Sequence, residues 1–350
     1  MVKRAVFAVS GDLDTPTGGY AYDRRIIAEL RRLGFAIEVI DLGDGFPQPN
    51  CDVKAAALAA LRCVPRGSPV VIDGLAYGAL PELAADFCKT RPVIALVHHP
   101  LALETGLSED AAAQLRASER AALAGARRVV VTSKATARIL AADYAVPRDC
   151  ITIAPPGSDR VASAQGNAGG PVALLSVGAL VPRKGYDVLI AALAEIADLD
   201  WRLTIVGPRD RDRATAARLG ARIAALGLAP RVTLAGAVAP DRLAAMYAAA
   251  DLFVLASRFE GYGMAFAEAA SYGLPVIGTT AGAIPEAVPA GAGLLVAPDD
   301  GAALTAALRR LIGNRAEREC LAAAARRAAE RLPTWDASAR LVAETIEAVT

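Results

Sequence analysis

Aromatic residues make up only 5% of these 350 residues, and histidine occurs twice, as the adjacent pair His98 and His99. With no third ligand in view beside that pair, no metal centre is expected. A charge excess of either sign is also missing: 38 basic and 37 acidic side chains leave a formal +1. Such a chain has no global field with which to recruit nucleic acid or an anionic membrane, so no nucleic-acid partner is expected. The five cysteines (Cys51, Cys63, Cys88, Cys150 and Cys320) include no Cys-x-x-Cys pair. Odd in number and widely spread, they read as reduced, buried small hydrophobes of a cytoplasmic protein rather than a disulfide frame or zinc site. No window approaches 18 uninterrupted apolar residues, so no helix is expected to span a membrane, while peripheral contact at an inner membrane surface stays open. At the N-terminus, "MVKRAVFAVSGDLD" is continuously apolar only from Ala5 to Val9, too short for a signal peptide, and reads as a first strand.

What is present is aliphatic. Hydrophobic residues form 54% of the chain, mostly Ala, Val, Leu and Ile, which suits helices packed on parallel strands, and 350 residues suggest two domains. Short β-branched runs alternate with longer helical patterns throughout, the mark of βαβ units. The first half offers the strands "RAVFAVS", "FAIEVI", "PVVIDG", "PVIALV", "RVVVTS" and "CITIAP"; the second offers "VALLSVG", "WRLTIVG", "RVTLAG", "DLFVLAS", "LPVIGT" and "GLLVAP". Between them Ile26, Ile27, Leu30 and Leu33 repeat at helical spacing, and "SEDAAAQLRASERAALAG" opens with a Ser cap and acidic residues. From Pro155 to Pro171 the periodicity stops in a Pro, Gly, Ser and Ala stretch of linker composition. The expected architecture is α/β: a Rossmann-like domain over 1–165, a second over 166–333, and a final amphipathic helix over 334–350 with Leu341, Ile346 and Val349 as its apolar members. Ligands of open parallel sheets bind beyond the carboxyl ends of the strands, so the cleft between the halves is the expected site.

Four stretches carry candidate chemistry. In "SRFEGYGMAFAEAASYGLPVIG" a strand leads through a turn with Gly261 and Gly263 into a helix beginning near Gly263. Unpaired amides at a helix start, approached through glycines, suit a phosphate. Glu268 lies about five residues into that helix, roughly 7 to 8 Å along its axis, about the span from a nucleotide's distal phosphate to its ribose hydroxyls. Glu260, in the turn, sits near whatever that phosphate carries. Taken alone, each carboxylate reads first as structural, Glu268 paired with a neighbouring arginine and Glu260 as a surface cap. In "SVGALVPRKGYDVLI" a strand ends at Gly178, and Arg183 with Lys184 stands at a helix start, placed to neutralise a diphosphate or simply solvated. In "SGDLDTPTGGYAYDRR" Gly18 and Gly19 lead into the first helix, without the spacing of a dinucleotide fingerprint, and a plain turn is the alternative. His98 and His99 end a strand in "PVIALVHHPLALETG"; neighbours on an extended segment face opposite ways, so one of the two is expected to meet a ligand. The Asp-x-Asp within "RDRDR", residues 209–213, reads as a surface loop whose arginines compete for the carboxylates.

Taken together, Glu260-Gly-Tyr-Gly with Glu268 eight residues on, followed by "ASYGLPVIGT" and "AGAIPEAV" and preceded by "VGALVPRKG", resembles the retaining glycosyltransferases of family 4, and the likeness runs over nearly the whole chain. The resemblance implies a GT-B fold, with the final helix crossing back to the first domain. It implies transfer of a sugar from a nucleotide-sugar donor to an acceptor hydroxyl, with no cofactor and no bound metal. Glu268 would hold the ribose; Arg183 and Lys184 the diphosphate; Glu260 and the amides of Gly261, Tyr262, Gly263, Met264 and Ala265 the donor sugar and distal phosphate. Gly18 and Gly19 would close over the phosphates, Gly178 would border them, and His98 or His99 would touch the transferred sugar. The catalytic candidates are thus His98, His99, Arg183, Lys184 and Glu260. Two positions depart from the pattern: Ala179 stands where Val-Gly-Arg-Leu is frequent, so Arg183 is the substitute, and Ala283 stands where a second glycine is common. The acceptor is lipid, saccharide or small metabolite. The competing readings are a nucleotide-sugar epimerase on the same scaffold and a catalytically silent nucleotide-sugar-binding subunit.

Overall fold

The computed structural model describes residues 3–166 and 169–350; positions 167 and 168 of the expected linker lie outside the described residues. All twelve anticipated strands are present. Lys3–Val9 (β1), Phe35–Asp41 (β2), Val70–Asp73 (β3), Val93–Val97 (β4), Arg128–Val131 (β5) and Ile151–Ile153 (β6) form one sheet; Val172–Val177 (β7), Trp201–Val206 (β8), Val232–Gly236 (β9), Leu252–Val254 (β10), Val276–Thr279 (β11) and Gly293–Val296 (β12) form the other. Every pairing is parallel. Parallel strands need crossover connections, which the helices between them supply. The inner strands β3 and β4 are covered on both faces and buried along their whole length, while edge strand β2 is exposed at Ala36, Glu38, Val39 and Asp41.

The chain divides into two compact units, one running to Gly157 and taking up Pro333–Thr350, the other spanning Ser158–Leu332. In the first unit the strand order is β2-β1-β3-β4-β5-β6, and in the second β12-β11-β10-β7-β8-β9. Each order reverses once, between β1 and β3 and between β7 and β10. At such a point successive crossovers leave in opposite directions, and a crevice opens beyond the carboxyl ends of the two strands. Ser10 and Asp73 stand at the first reversal, and Gly178 and the 255–263 loop at the second.

The last helix, Trp335–Glu347, is capped by Thr334, whose side chain accepts from Ala337 N–H. It lies in the first unit against helix Gly18–Arg32 and β6. Its buried face is Trp335, Ala339, Val342 and Ile346, whereas Leu341, expected inside, is only half-buried. Ile346 and Val349 are buried as expected on the stripe of Ala339 and Val342, and Trp335 packs against Tyr22, ring centres 5.9 Å apart, under the Arg25 guanidinium at 5.0 Å. The cysteines also depart from expectation. All five are free thiols, but Cys51, Cys63 and Cys320 are exposed and Cys150 is half-buried, leaving Cys88 alone in a core. Cys51 opens and Cys63 ends a surface helix, positions that composition cannot distinguish from core.

Candidate functional site

In the second unit, β7 runs out at Val177 and the chain turns through Gly178 into a single 3-10 turn, Pro182–Lys184. Arg183 and Lys184 therefore sit in that turn, before the helix Tyr186–Ala194 and not on it. Gly185 joins the two at φ +64, where a Cβ would fall 2.0 Å from the Ala256 carbonyl oxygen, so the turn is pressed against the neighbouring loop in a way only glycine allows. That loop follows β10. Arg258 N–H donates to the Arg183 carbonyl at 2.8 Å, and Arg258 grips Asp187 through two hydrogen bonds, Asp299 through one and the Pro182 carbonyl through another.

Glu260 ties the two segments together. Lys184 Nζ donates to its Oε1 at 2.6 Å, Arg183 Nη1 to its Oε2 at 3.1 Å, and Ser257 Oγ to Oε1 at 2.6 Å. Arg183 also donates to the Phe259 carbonyl at 2.9 Å. The carboxylate is 6% exposed. Burial alone would raise its pKa; Lys184 and Arg183 outweigh that and hold it at about 2. The sequence offered Glu260 either beside a ligand or as a surface cap, with the two cations on a diphosphate; the structure joins the buried carboxylate to both part-buried cations in one network. A lone surface cap is overturned for a physical reason: β10 pairs beside β7, which brings the two loops side by side.

Gly263 takes φ +96 and starts helix Met264–Ser271 with no side-chain cap. Tyr262 is buried, so what that turn can offer a ligand is backbone. Glu268 lies on the fifth residue of the helix and is half-buried. Its partner is no arginine: Tyr247 OH donates to Oε2 at 2.9 Å, and Tyr247 stacks on Tyr272 at 5.1 Å. Burial raises the Glu268 pKa more than the tyrosine hydrogen bond lowers it, and Asp159 adds to the rise. In "RDRDR" the flanking arginines do not take the carboxylate of Asp212. It caps helix Arg213–Ala225 by accepting from Thr215 N–H at 2.8 Å.

The first unit has its own assembly at the β1/β3 reversal. Gly18 and Gly19 open helix Gly18–Arg32 behind the Thr17 cap. A Cβ on Gly19 would lie 3.3 Å from His98 Cδ2, so the missing side chain leaves room for that ring. His98 Nε2 meets Asp23 Oδ1 at 3.1 Å, and Tyr22 stands edge-on to the imidazole at 5.3 Å. His99 turns away to Glu104 at 3.5 Å. The two histidines thus have separate partners, as alternation along the segment implies. Asp73 caps the short turn after β3, accepting from Leu75 N–H at 3.2 Å and from Ser10 Oγ at 3.3 Å. Burial and then the nearby Asp23 raise the Asp73 pKa to about 6, against smaller opposing effects of His98, Leu75 and Ser10. Burial pulls His98 down, but Asp23 and Asp73 together raise its pKa above the ordinary value.

Asp23, Asp73 and His98 each present an atom within 4.8 Å of the others. The Nε2 of His98 is met by Asp23 Oδ1, and the three side chains form one close-set cluster at the β1/β3 reversal. Neither aspartate had been singled out from the sequence. The available signal was Asp23 itself, which shares the i, i+3, i+4, i+7 stripe of Ile26, Ile27 and Leu30 where a charge does not belong.

Residues 171–314 match the description "Glycosyl transferases group 1", and residues 21–160 match "Glycosyltransferase Family 4". The chain is 32% identical to the D-inositol 3-phosphate glycosyltransferase of Rhodococcus opacus, over 72% of this chain and 61% of that protein. It is 29% identical to the MMP alpha-(1->4)-mannosyltransferase of Mycolicibacterium hassiacum, over 84% and 74%. With the D-inositol 3-phosphate glycosyltransferase of Acidothermus cellulolyticus, 35% identical, the match spans 56% of this chain and 48% of the relative, about half its length. Among solved structures, the sucrose-phosphate synthase of Thermosynechococcus elongatus superposes with a TM-score of 0.83 at 21% identity, covering 99% of both chains. Anabaena HepE in complex with UDP-glucose gives 0.78 at 20% identity, covering 98% of this chain and 99% of that one.

Proposed function

The chain belongs to the family 4, group 1 glycosyltransferases of the GT-B fold, and from that premise we propose that it moves a hexosyl group from a nucleotide-sugar donor to an acceptor hydroxyl, with retention at the anomeric carbon and no metal requirement. The observation that carries this is the Arg183–Glu260–Lys184 network at the β7/β10 reversal, with the uncapped start of helix Met264–Ser271 alongside. Transfer from such a donor leaves a nucleoside diphosphate, whose growing negative charge is the main thing to stabilise. Fixed cations and first-turn amides do this without reorganising when the bond breaks. In this reading Arg183 and Lys184 face the diphosphate. Glu260 holds them in place and borders the donor sugar with the amides of the 261–265 turn. Glu268 takes the ribose hydroxyls on the oxygen that Tyr247 does not occupy. In the first unit, His98 donates to a substrate oxygen, Gly18 and Gly19 admit phosphate close to backbone, and the acceptor binds. The departing phosphate oxygen takes the acceptor's proton, so no further base is called for.

HepE, a likeness in fold, is seen with UDP and with UDP-glucose, which favours a uridine donor. Five free thiols accord with a cytoplasmic setting, and among the described residues no helix is long and apolar enough to cross a membrane. Titration calorimetry with UDP, GDP, ADP and dTDP in excess EDTA tests the reading. One nucleotide should bind in the micromolar range, and Glu268→Ala should weaken it by about 1.5 to 3 kcal/mol, the worth of a hydrogen bond to a charged group. No binding by any of the four, or unchanged affinity in a folded Glu268→Ala variant, contradicts it. Labelled donor then separates transfer from epimerisation and from silent binding.

A further inference from the structure

Asp23 is completely buried on a helix face otherwise made of Ile26, Ile27 and Leu30. A charge in such a place is costly unless something nearby compensates. Its Oδ1 meets His98 Nε2 at 3.1 Å, while its Oδ2, also buried, has no hydrogen-bond partner. The imidazole is enclosed on several sides: by that carboxylate, by the Tyr22 ring at 5.3 Å, and by the bare Cα of Gly19. Its backbone is tied as well, since Thr132 Oγ1 donates to the His98 carbonyl at 3.4 Å. The side chain nevertheless keeps 20% of its surface open. Among the described residues the ring nitrogen with no protein partner is Nδ1.

We propose that Asp23 is the positioning residue of His98: its buried carboxylate accepts the Nε2 proton, fixes the ring's plane and tautomer, and leaves Nδ1 as the atom presented to substrate, with Asp73 as a third member sharing the cluster's protons. This rests on the reading of His98 as the imidazole that meets substrate in the transfer reaction. It deepens that reading by naming the atom and the group that aims it. The groups facing His98 are Asp23 and Tyr22 from the first helix and Asp73 from the end of β3, with the His99–Glu104 pair on the next turn. Tyr22 stays neutral, because burial and then Asp23 push its ionisation far above neutral pH. Asp23 and Asp73 outweigh burial and favour the protonated imidazole of His98, and Asp73 takes up a proton as pH falls toward 6. In that state Nδ1–H is a donor held still, able to bond a substrate oxygen without first paying to orient the ring.

The chain's two histidines make the test direct. In a His99→Gln protein labelled with ¹⁵N-histidine, every imidazole signal belongs to His98, and its ring nitrogens can be followed from pH 5 to 9. The expected result is a proton on Nε2 throughout, titration at Nδ1 only, and a midpoint above 6.5, the ordinary value. Adding Asp23→Asn should lower the midpoint and release the tautomer. An unchanged midpoint and tautomer in that variant overturn the proposal. So does a neutral form of the parent protein carrying its proton on Nδ1, a reading that holds even if Asp23→Asn fails to fold.

Turnover of labelled donor, measured with His99 intact, should fall at least tenfold in kcat for Asp23→Asn, while KM for the donor moves less than threefold and Asp23→Glu recovers part of the loss. A changed tautomer with unchanged kcat also overturns the positioning role. UDP calorimetry on the same variants keeps the two readings apart, because Arg183, Lys184 and Glu268, proposed to hold the diphosphate and ribose, lie in the other unit, and only Gly18 and Gly19 of the proposed phosphate contacts share the helix of Asp23. If wild type binds no nucleotide, the proposed function fails whatever the imidazole shows.

Discussion

Replacing Glu260 with glutamine keeps the shape of the side chain and removes the charge that Arg183 and Lys184 share. In the folded protein this carboxyl titrates at about 2 against an ordinary 4.5. At ~1.4 kcal/mol per pH unit, that gap corresponds to about 3 kcal/mol of stability at neutral pH. The sign follows from the depressed value: the contribution is complete above 4.5 and is lost as pH falls through 2. The group is almost fully buried, so little of this is lost to solvent screening, and about 3 kcal/mol matches the usual cost of removing one partner from a buried ion pair. The assay can be confined to the second unit. The chain has two tryptophans; Trp201 is buried in the second unit and Trp335 belongs to the first, so a Trp335→Phe background leaves Trp201 as the sole reporter. Urea unfolding at pH 7 should show Glu260→Gln about 3 kcal/mol less stable, a midpoint shift on the order of 1 to 2 M for a unit of this size. Between pH 5 and pH 2.5 the deficit should shrink to about 1 kcal/mol as wild type loses the same charge. Equal stability at pH 7, or a deficit that does not change with pH, would refute the account of Glu260 as the anionic tie between two cationic segments.

Arg183→Ala and Lys184→Ala should each weaken a nucleoside diphosphate by roughly 10- to 100-fold while changing the bare nucleoside less than about 3-fold; calorimetry with UDP and uridine reads the difference, and equal losses for both ligands count against the phosphate role. Glu119, buried beneath the chain that follows His99, accepts from Leu101 N–H at 2.9 Å, and burial lifts its pKa to about 8. Its neutral form suits the folded protein, so the native advantage is full below 4.5 and lost as pH rises through 8. Glu119→Gln should therefore match wild type near pH 5 and exceed it at pH 9, read by Trp335 fluorescence in urea. No gain at pH 9 removes the inference.

The strands were legible because each is a compact β-branched run closed by Gly, Pro or Asp, and twelve such runs in alternation with helices admit little besides two parallel sheets. Gly263 was legible as a helix start, and Gly185 follows directly on the basic pair that the sequence singled out. Contacts that depend on strand order were not legible. Nothing between positions 183 and 260 says that β10 lies beside β7, and without that the two cations and the carboxylate read as separate features. The same holds for His98 and Asp23, 75 residues apart. The histidines drew notice by rarity, but the aspartate that occupies His98 was hidden in a helical pattern whose apolar members fixed attention. Local spacing placed Ile346 and Val349 correctly but misjudged Leu341, which sits one position off the Ala339, Val342, Ile346 and Val349 stripe.

The two carboxylates eight residues apart differ in electrostatic kind, and that difference separates their roles. Glu260 is held ionised by cations and is part of what keeps the second unit folded. Glu268 faces a neutral tyrosine; none of its partners among the described residues is a cation, and burial raises its pKa. A carboxylate raised in this way favours folding most in its protonated form, below the ordinary 4.5, and that advantage fades as pH climbs past the folded value. At neutral pH Glu268 therefore adds nothing to stability that a glutamine would not. Glu268→Gln should leave the second unit as stable as wild type or slightly more so at pH 7, with Tyr247 still able to donate to the amide oxygen, while UDP affinity falls because a charged acceptor for the ribose hydroxyls is gone. Glu260→Gln should do the reverse at the level of folding. If Glu268→Gln instead unfolded the second unit as Glu260→Gln does, Glu268 would be a structural group like its neighbour, and its place on the helix would need no ribose to explain it.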